Sequence, residues 1–196
     1  MPYKPKNNKS GGNWLGFKEL AIMDIEDIRE KYQGLSHLEV ALDINLEIKG
    51  AEYGQKLQII GDFERDDESN ILPCSLLTQI NNFCAVIDFP GGVNRGGEWV
   101  DKDDKPIENI VELLNDRYID VKFPDPDFKY YGYLYEKYND KKERVYTHVW
   151  KKIVKNTKEE IASFKDYMKF IKSKGYVDKN RPSEQPKIKG EISSDI

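Results

Sequence analysis

Cysteine and histidine are scarce in this chain, two of each in 196 residues. Cys74 and Cys84 stand in a segment that reads as helix, where a rise of 1.5 Å per residue separates them by about 15 Å, beyond the reach of a disulfide. His37 and His148 are far apart and neither has a Cys or His close by, so there is no ligand set for a structural zinc. No run reaches the roughly 18 to 20 uncharged apolar residues of a membrane span, and Met1–Lys6 lacks the apolar segment of a signal peptide. The expectation is a soluble, cytoplasmic protein with no membrane partner, in which the Asn8-Lys9-Ser10 sequon is incidental.

Catalytic motifs are equally thin. Gly91–Gly97 is glycine-rich but lacks the Lys-Ser/Thr of a phosphate-binding loop, with Glu98 where the lysine belongs; it reads as a flexible connection with Arg95 and Trp99 as contact residues. Asp101, Asp103 and Glu112 fall at positions 1, 3 and 12 of a calcium loop, yet Lys105 and Pro106 occupy the fifth ligand and the turn glycine, which excludes that site. No nucleophile motif is present for either histidine to serve. Glu39, Asp43, Glu47 and Lys49 share one face of a strand, and Glu47-Ile48-Lys49 with Asp62 could form part of a nuclease metal site, but alternation alone explains these charges as the wet face of a sheet. The reading is a protein that is not an enzyme and carries no cofactor.

What the chain does have is enough apolar and aromatic residue, 38% and 12%, to fold around a core rather than remain disordered. Its charge is uneven. Residues 1–18 carry four lysines and no acid, residues 19–128 net −15, residues 129–174 net +7, and residues 175–196 balance. A local basic face matters more to nucleic-acid binding than the acidic total.

Residues 1–13 read as a flexible arm, 14–177 as one domain and 178–196 as a disordered tail. Asp24, Glu26 and Asp27 followed by Ile25, Ile28 and Tyr32 predict a short helix ended by Gly34. From Leu38 to Ile48 apolar and polar residues alternate, which predicts a half-buried strand. Leu57–Phe63 alternates again to complete a hairpin. Leu76, Leu77, Ile80, Phe83, Cys84 and Ile87 fall on one face of a helix opened by Pro73. Asp103–Pro106 predicts a capped helix carrying Ile107, Ile110, Val111 and Leu114, and Tyr118–Phe123 a third strand. Lys129–Tyr138 and Arg144–Val154 predict a second hairpin, and Thr157-Lys158-Glu159-Glu160 a capping box opening a C-terminal helix.

The second hairpin is the sharpest feature. Positions 128–150 hold eight of the 23 aromatic residues. One strand reads Lys129, Tyr131, Tyr133, Tyr135, Lys137 on one side; the other reads Arg144, Tyr146, His148, Trp150, Lys152. A turn of two or four residues puts both rows on one face, with Tyr135 opposite Tyr146 and Tyr131 opposite Trp150, and leaves Gly132, Leu134, Val145 and Val149 on the reverse. Such a face suits single-stranded nucleic acid, bases stacking on rings and cations neutralising phosphates. Tyrosines are also good strand formers, and the same row serves equally as packing under the C-terminal helix.

Five strands in two hairpins plus a linking strand, with helices between strands 2 and 4 and a closing helix, predict an α+β fold: an OB-like, five-stranded, partly open barrel. The segment Leu76–Val154, with its amphipathic helix, Gly97-Glu98-Trp99-Val100-Asp101 loop, Pro106-Ile107 and closing strand pair Tyr133–Tyr138 and Arg144–Val149, resembles phage-encoded single-stranded DNA-binding proteins of the OB-fold type. The resemblance implies single-stranded DNA as ligand, a role in phage replication or recombination in the cytoplasm of the infected host, and binding by Tyr131, Tyr133, Tyr135, Arg144, Tyr146, Trp150 and Lys152, to which Lys137 and His148 are added from the rows. Many members recruit replication proteins through an acidic tail with a terminal aromatic; here the ending, Gly190–Ile196, has two acids and an aliphatic terminus. The acidic middle segment supports a different class of function, a phage inhibitor or adaptor that docks a basic host surface. Deleting residues 178–196 is expected to leave the melting temperature unchanged within about 2 °C by scanning calorimetry, since few of their groups offset ordering entropy.

Overall fold

The computed structural model describes residues 15–122, 125–139, 142 and 144–177, with Tyr138 and Arg144 as backbone only. The expected arm 1–13 and tail 178–196, Phe123, and Asp140 and Lys141 of the second hairpin's turn lie outside the described residues. The architecture is mixed α and β. β2 (Val40–Ile48) and β3 (Gln55–Gly61) form the first hairpin, with Ile44 opposite Leu57 and Leu42 opposite Ile59. β1 (Gly16–Asp27) pairs through Leu20–Asp27 with β2 and through Gly16–Leu20 with β6 (Tyr130–Asn139). β7 (Arg144–Val149) and β8 (Val154–Lys155) both lie along β6, giving the antiparallel order β3-β2-β1-β6-β7. A separate two-stranded ribbon joins β4 (Gly92–Val93) to β5 (Trp99–Val100).

β1 replaces the helix expected at Asp24–Tyr32. Its register shifts between Ile22 and Asp24, and the extra residue of that bulge sets the inward Ile22 and Ile25 three apart instead of two, while Ile28 lies just past the strand's end. Past Asp27 the chain turns, the Lys31 and Tyr32 N–H groups bonding to the Ile28 carbonyl at 3.2 and 3.3 Å, so the expected helix is a strand end followed by a turn. A 3-10 turn at Gln33–Leu35 follows. Nor is there a strand within 118–122: Tyr118 closes the second helix, its N–H bonding to the Leu114 carbonyl at 2.9 Å.

α1 (Ser75–Val86) is N-capped by Cys74, whose sulfur accepts from the Leu77 N–H at 3.5 Å. Cys84, buried on its inner face, has a thiol pushed up to about 12 by that burial; both cysteines are free. α2 (Ile110–Arg117) begins three residues later than Ile107, because Asn109 supplies the cap and the Ile107 N–H bonds to the Trp99 carbonyl. α3 (Lys158–Ser173) starts at Thr157, whose hydroxyl accepts from the Glu160 N–H at 3.3 Å. The reciprocal half of the capping box goes elsewhere: the Glu160 carboxylate accepts from the Lys155 N–H at 2.9 Å.

The sheet is covered on both sides. One face, with Leu20, Ile44, Leu46, Ile59 and Leu134, packs on α1 and α2. A Cβ on Gly132 would stand 2.5 Å from Leu20 Cδ1, so the Leu20 side chain occupies the space that a side chain at position 132 would need. The other face carries Tyr133, Trp150 and Val154 against Phe164, Met168 and Ile171 of α3. β2 is therefore not half-buried: Ala41, Asp43 and Asn45, the expected wet side, are at most 2% exposed. Burying polar groups requires partners, and Asp43 receives Lys56 and the Gln58 amide (2.7 Å) from β3, while Asn45 donates to Asp24 of β1. No helix among the described residues is long and apolar enough to cross a membrane.

Phe164, 1% exposed, stacks on Tyr167 and meets Phe17 edge-on. Phe164→Ala is expected to cost roughly 3–5 kcal/mol by urea denaturation, whereas Phe170→Ala on the exposed side of the same helix should stay within about 0.5 kcal/mol.

Candidate nucleic-acid interface

The second hairpin pairs Tyr135 with His148, Lys137 with Tyr146 and Asn139 with Arg144. Its turn thus has four residues, and the two rows share a face as the even register requires. The partners differ from those expected: Tyr135 faces His148 rather than Tyr146, and the Trp150 N–H donates to the Tyr133 carbonyl at 2.7 Å rather than standing opposite Tyr131. The two-residue offset arises because the strands close at Asn139 and Arg144, one residue later on each than that pairing requires.

Burial divides the row. Tyr133 and Trp150 are 9% and 8% exposed, in the core beneath α3. Tyr131 is stacked on Phe17, centroids 5.8 Å apart at 9°, with the Lys165 ammonium over it at 5.8 Å; Lys172 sits 4.4 Å above Tyr133. Trp150 donates its indole N–H to Tyr167 at 3.4 Å. These three rings are occupied as packing, the alternative that the aromatic row left open, and offer no free face to a base. Lys152 lies 5.1 Å over Tyr167. The Arg144 side chain lies outside the described residues.

The other half of the row is open. Tyr135 and Tyr146 are half-buried, Lys137 and His148 exposed. Tyr135 and His148 stand 5.8 Å apart, tilted by 31°. They line a cleft of about 350 Å³ between the sheet's edge strands, with Lys56 and Gln58 of β3 on one wall and Lys151 on the other side. Lys56, Gln58 and Lys151 escaped sequence reasoning because the cleft joins positions nearly a hundred residues apart; the alternation of Lys56 and Gln58 onto the outer face was the only available signal. Lys151 reaches the Ser75 hydroxyl at 3.3 Å, and Lys56 is held by Asp43. Desolvation, and then the Lys137 ammonium, hold the His148 pKa below its ordinary 6.5.

The remaining candidates resolve into structural roles. Glu39 accepts from the Phe63 N–H at 2.7 Å and pairs with Arg65; Asp62 accepts from the Glu39 N–H at 2.9 Å; Lys49 pairs with Glu19. The nuclease set is dispersed, and no three His, Cys, Asp or Glu among the described residues are placed to hold a metal. Asp101 accepts from the Asp103 and Lys105 N–H groups, bonds that lower its pKa. The glycine-rich segment is a built ribbon, not a flexible connection: Asn94 accepts from the Gly96 and Glu98 N–H groups.

Because His148 takes a proton less readily in the fold than in the unfolded chain, stability falls as pH drops below about 6.5 toward the depressed folded value, then levels off. His148→Gln should remove that part of the decline, read as a smaller difference between urea midpoints at about pH 7.5 and about pH 5.5. Compared with protein-family models, with curated proteins and with solved structures, the chain matches none.

Proposed function

We propose that this protein binds single-stranded DNA along the open half of the β6–β7 hairpin, as a non-enzymatic, OB-like protein of phage replication or recombination. The strand order supports the OB-like reading. β1 pairs with both β2 and β6, and edge strands β3 and β7 face each other across the cleft, the connectivity of a five-stranded, partly open barrel with α1 between its third and fourth strands.

The observation that carries the functional reading is the Tyr135–His148 ring pair in that cleft, Tyr135 half-buried against Trp150 and His148 exposed, with Lys137 and Lys151 beside it. Stacking needs bare base faces, which a single strand offers and a duplex hides. The outer face also restricts the path. Asp24, Glu26 and Glu47 occupy the β1–β2 part of it, and like charge repels a phosphate backbone there, leaving the hairpin edge and the lysines around it as the favourable track.

Fluorescence anisotropy with oligo-dT and with duplex of the same length tests the proposal; equal or tighter binding to duplex would overturn it. Tyr135→Ala and His148→Ala should each cost roughly 1–3 kcal/mol in binding with little change in salt dependence, while Lys137→Ala should lower the salt slope by about one unit. Trp150→Ala should instead destabilise the fold by roughly 3–5 kcal/mol.

A further inference from the structure

A second cavity, of about 390 Å³, lies where β1 ends and β2 begins, away from the hairpin. Its floor is apolar, from Val40, Leu42, Trp99 and Ile107, and its rim carries Glu98 and Glu108. The cation among its lining residues, Arg29, is already committed: its guanidinium grips both Asp27 oxygens at 2.6–3.1 Å and donates to the Glu39 carbonyl at 3.1 Å. Trp99 accepts from the Ile107 N–H at 2.8 Å and Val100 bridges Pro106. Glu98 and Glu108 flank that contact, and both line the cavity. Asn94 Nδ2 donates to the Glu98 carboxylate at 3.1 Å, and among the described residues the cations near the cleft pair with other carboxylates, Arg29 with Asp27 and Arg65 with Glu39.

We propose that this cleft receives a lysine or arginine on an extended segment of a partner protein, the cation between Glu98 and Glu108 and a neighbouring apolar side chain on Trp99 and Ile107. The inference is independent of the DNA reading. Charge complementarity favours it, since residues 19–128, which build the cleft, net −15 and draw cations toward it. This chain's own lysine-rich N-terminus is poorly placed as the occupant. Gly16 and Asp27 are opposite ends of a 12-residue strand, roughly 37 Å apart. The stretch from Lys9 to Gly16 spans at most about 25 Å, and Lys4 would arrive only with the chain fully straight.

Calorimetric titration of the full chain with the peptide acetyl-Gly-Leu-Lys-Pro-Lys-Leu-Gly-amide tests the assignment. Saturable binding that weakens with salt is expected. The Glu98→Gln, Glu108→Gln double variant should bind at least about tenfold more weakly, with its melting temperature unlowered because neither carboxylate holds a cation among the described residues. Its oligo-dT affinity should be unaltered, so loss at this cleft and failure of the hairpin site are read separately. Absence of saturable binding to the unmodified chain, equal binding by the double variant, equal binding of a peptide with glutamate in place of lysine, or displacement by a peptide of residues 1–13 at equal concentration would each overturn the proposal.

Discussion

The seating of α3 on the aromatic face of β6 is the contact on which the rest of the molecule turns. Phe164 enters among Phe17, Tyr133 and Tyr167, with Met168 and Ile171 extending the seal. A sheet buried on one face alone would leave Phe17, Tyr131, Tyr133, Trp150 and the apolar stripe of a helix in water. Closing them together removes both liabilities, and dispersion and area burial act in concert. The same contact determines availability: rings under the helix serve stability, and those past its edge, Tyr135 and Tyr146, are left for other uses.

The outer face is therefore a mosaic. Along β1 and β2 it carries carboxylates, some so deeply buried that each requires a dedicated partner, as Asp43 does with Lys56 and Gln58. A buried ion pair of this kind contributes little net stability, yet breaking it leaves an uncompensated charge, so it fixes the β2–β3 register more than it strengthens it. Along β6 and β7 the face is aromatic and basic. The uneven charge of the chain thus becomes a spatial separation, with lysines around the hairpin and α3 and carboxylates around β2, the ribbon and α2.

Much of this was legible in the sequence wherever one period ran unbroken. The first hairpin, α1 and α3 each repeat their pattern long enough to be read, and the parity of the second hairpin followed from placing its charges together. β1 was not legible, because the bulge at Met23 converts a strand's alternation into helix-like spacing. The fate of Tyr133 and Trp150 was not legible either: the pattern says that they share a face, but whether a helix lies on that face is decided by α3, whose own stripe does not name its partner. The two clefts are further from sequence, since each is assembled from segments that meet only after the sheet has curled.

The cysteines show what the geometry of α1 implies for handling the molecule. Cys84 is sealed inside the helix's packed face and its thiolate is out of reach at ordinary pH. Cys74 sits at the helix start, half-buried, next to the serine that Lys151 touches. Alkylating reagents act on thiolates at accessible positions, so the native protein is in effect a single-thiol protein. A maleimide dye would attach at the shoulder of the Tyr135–His148 cleft without any engineered residue, giving an optical reporter of whatever enters it.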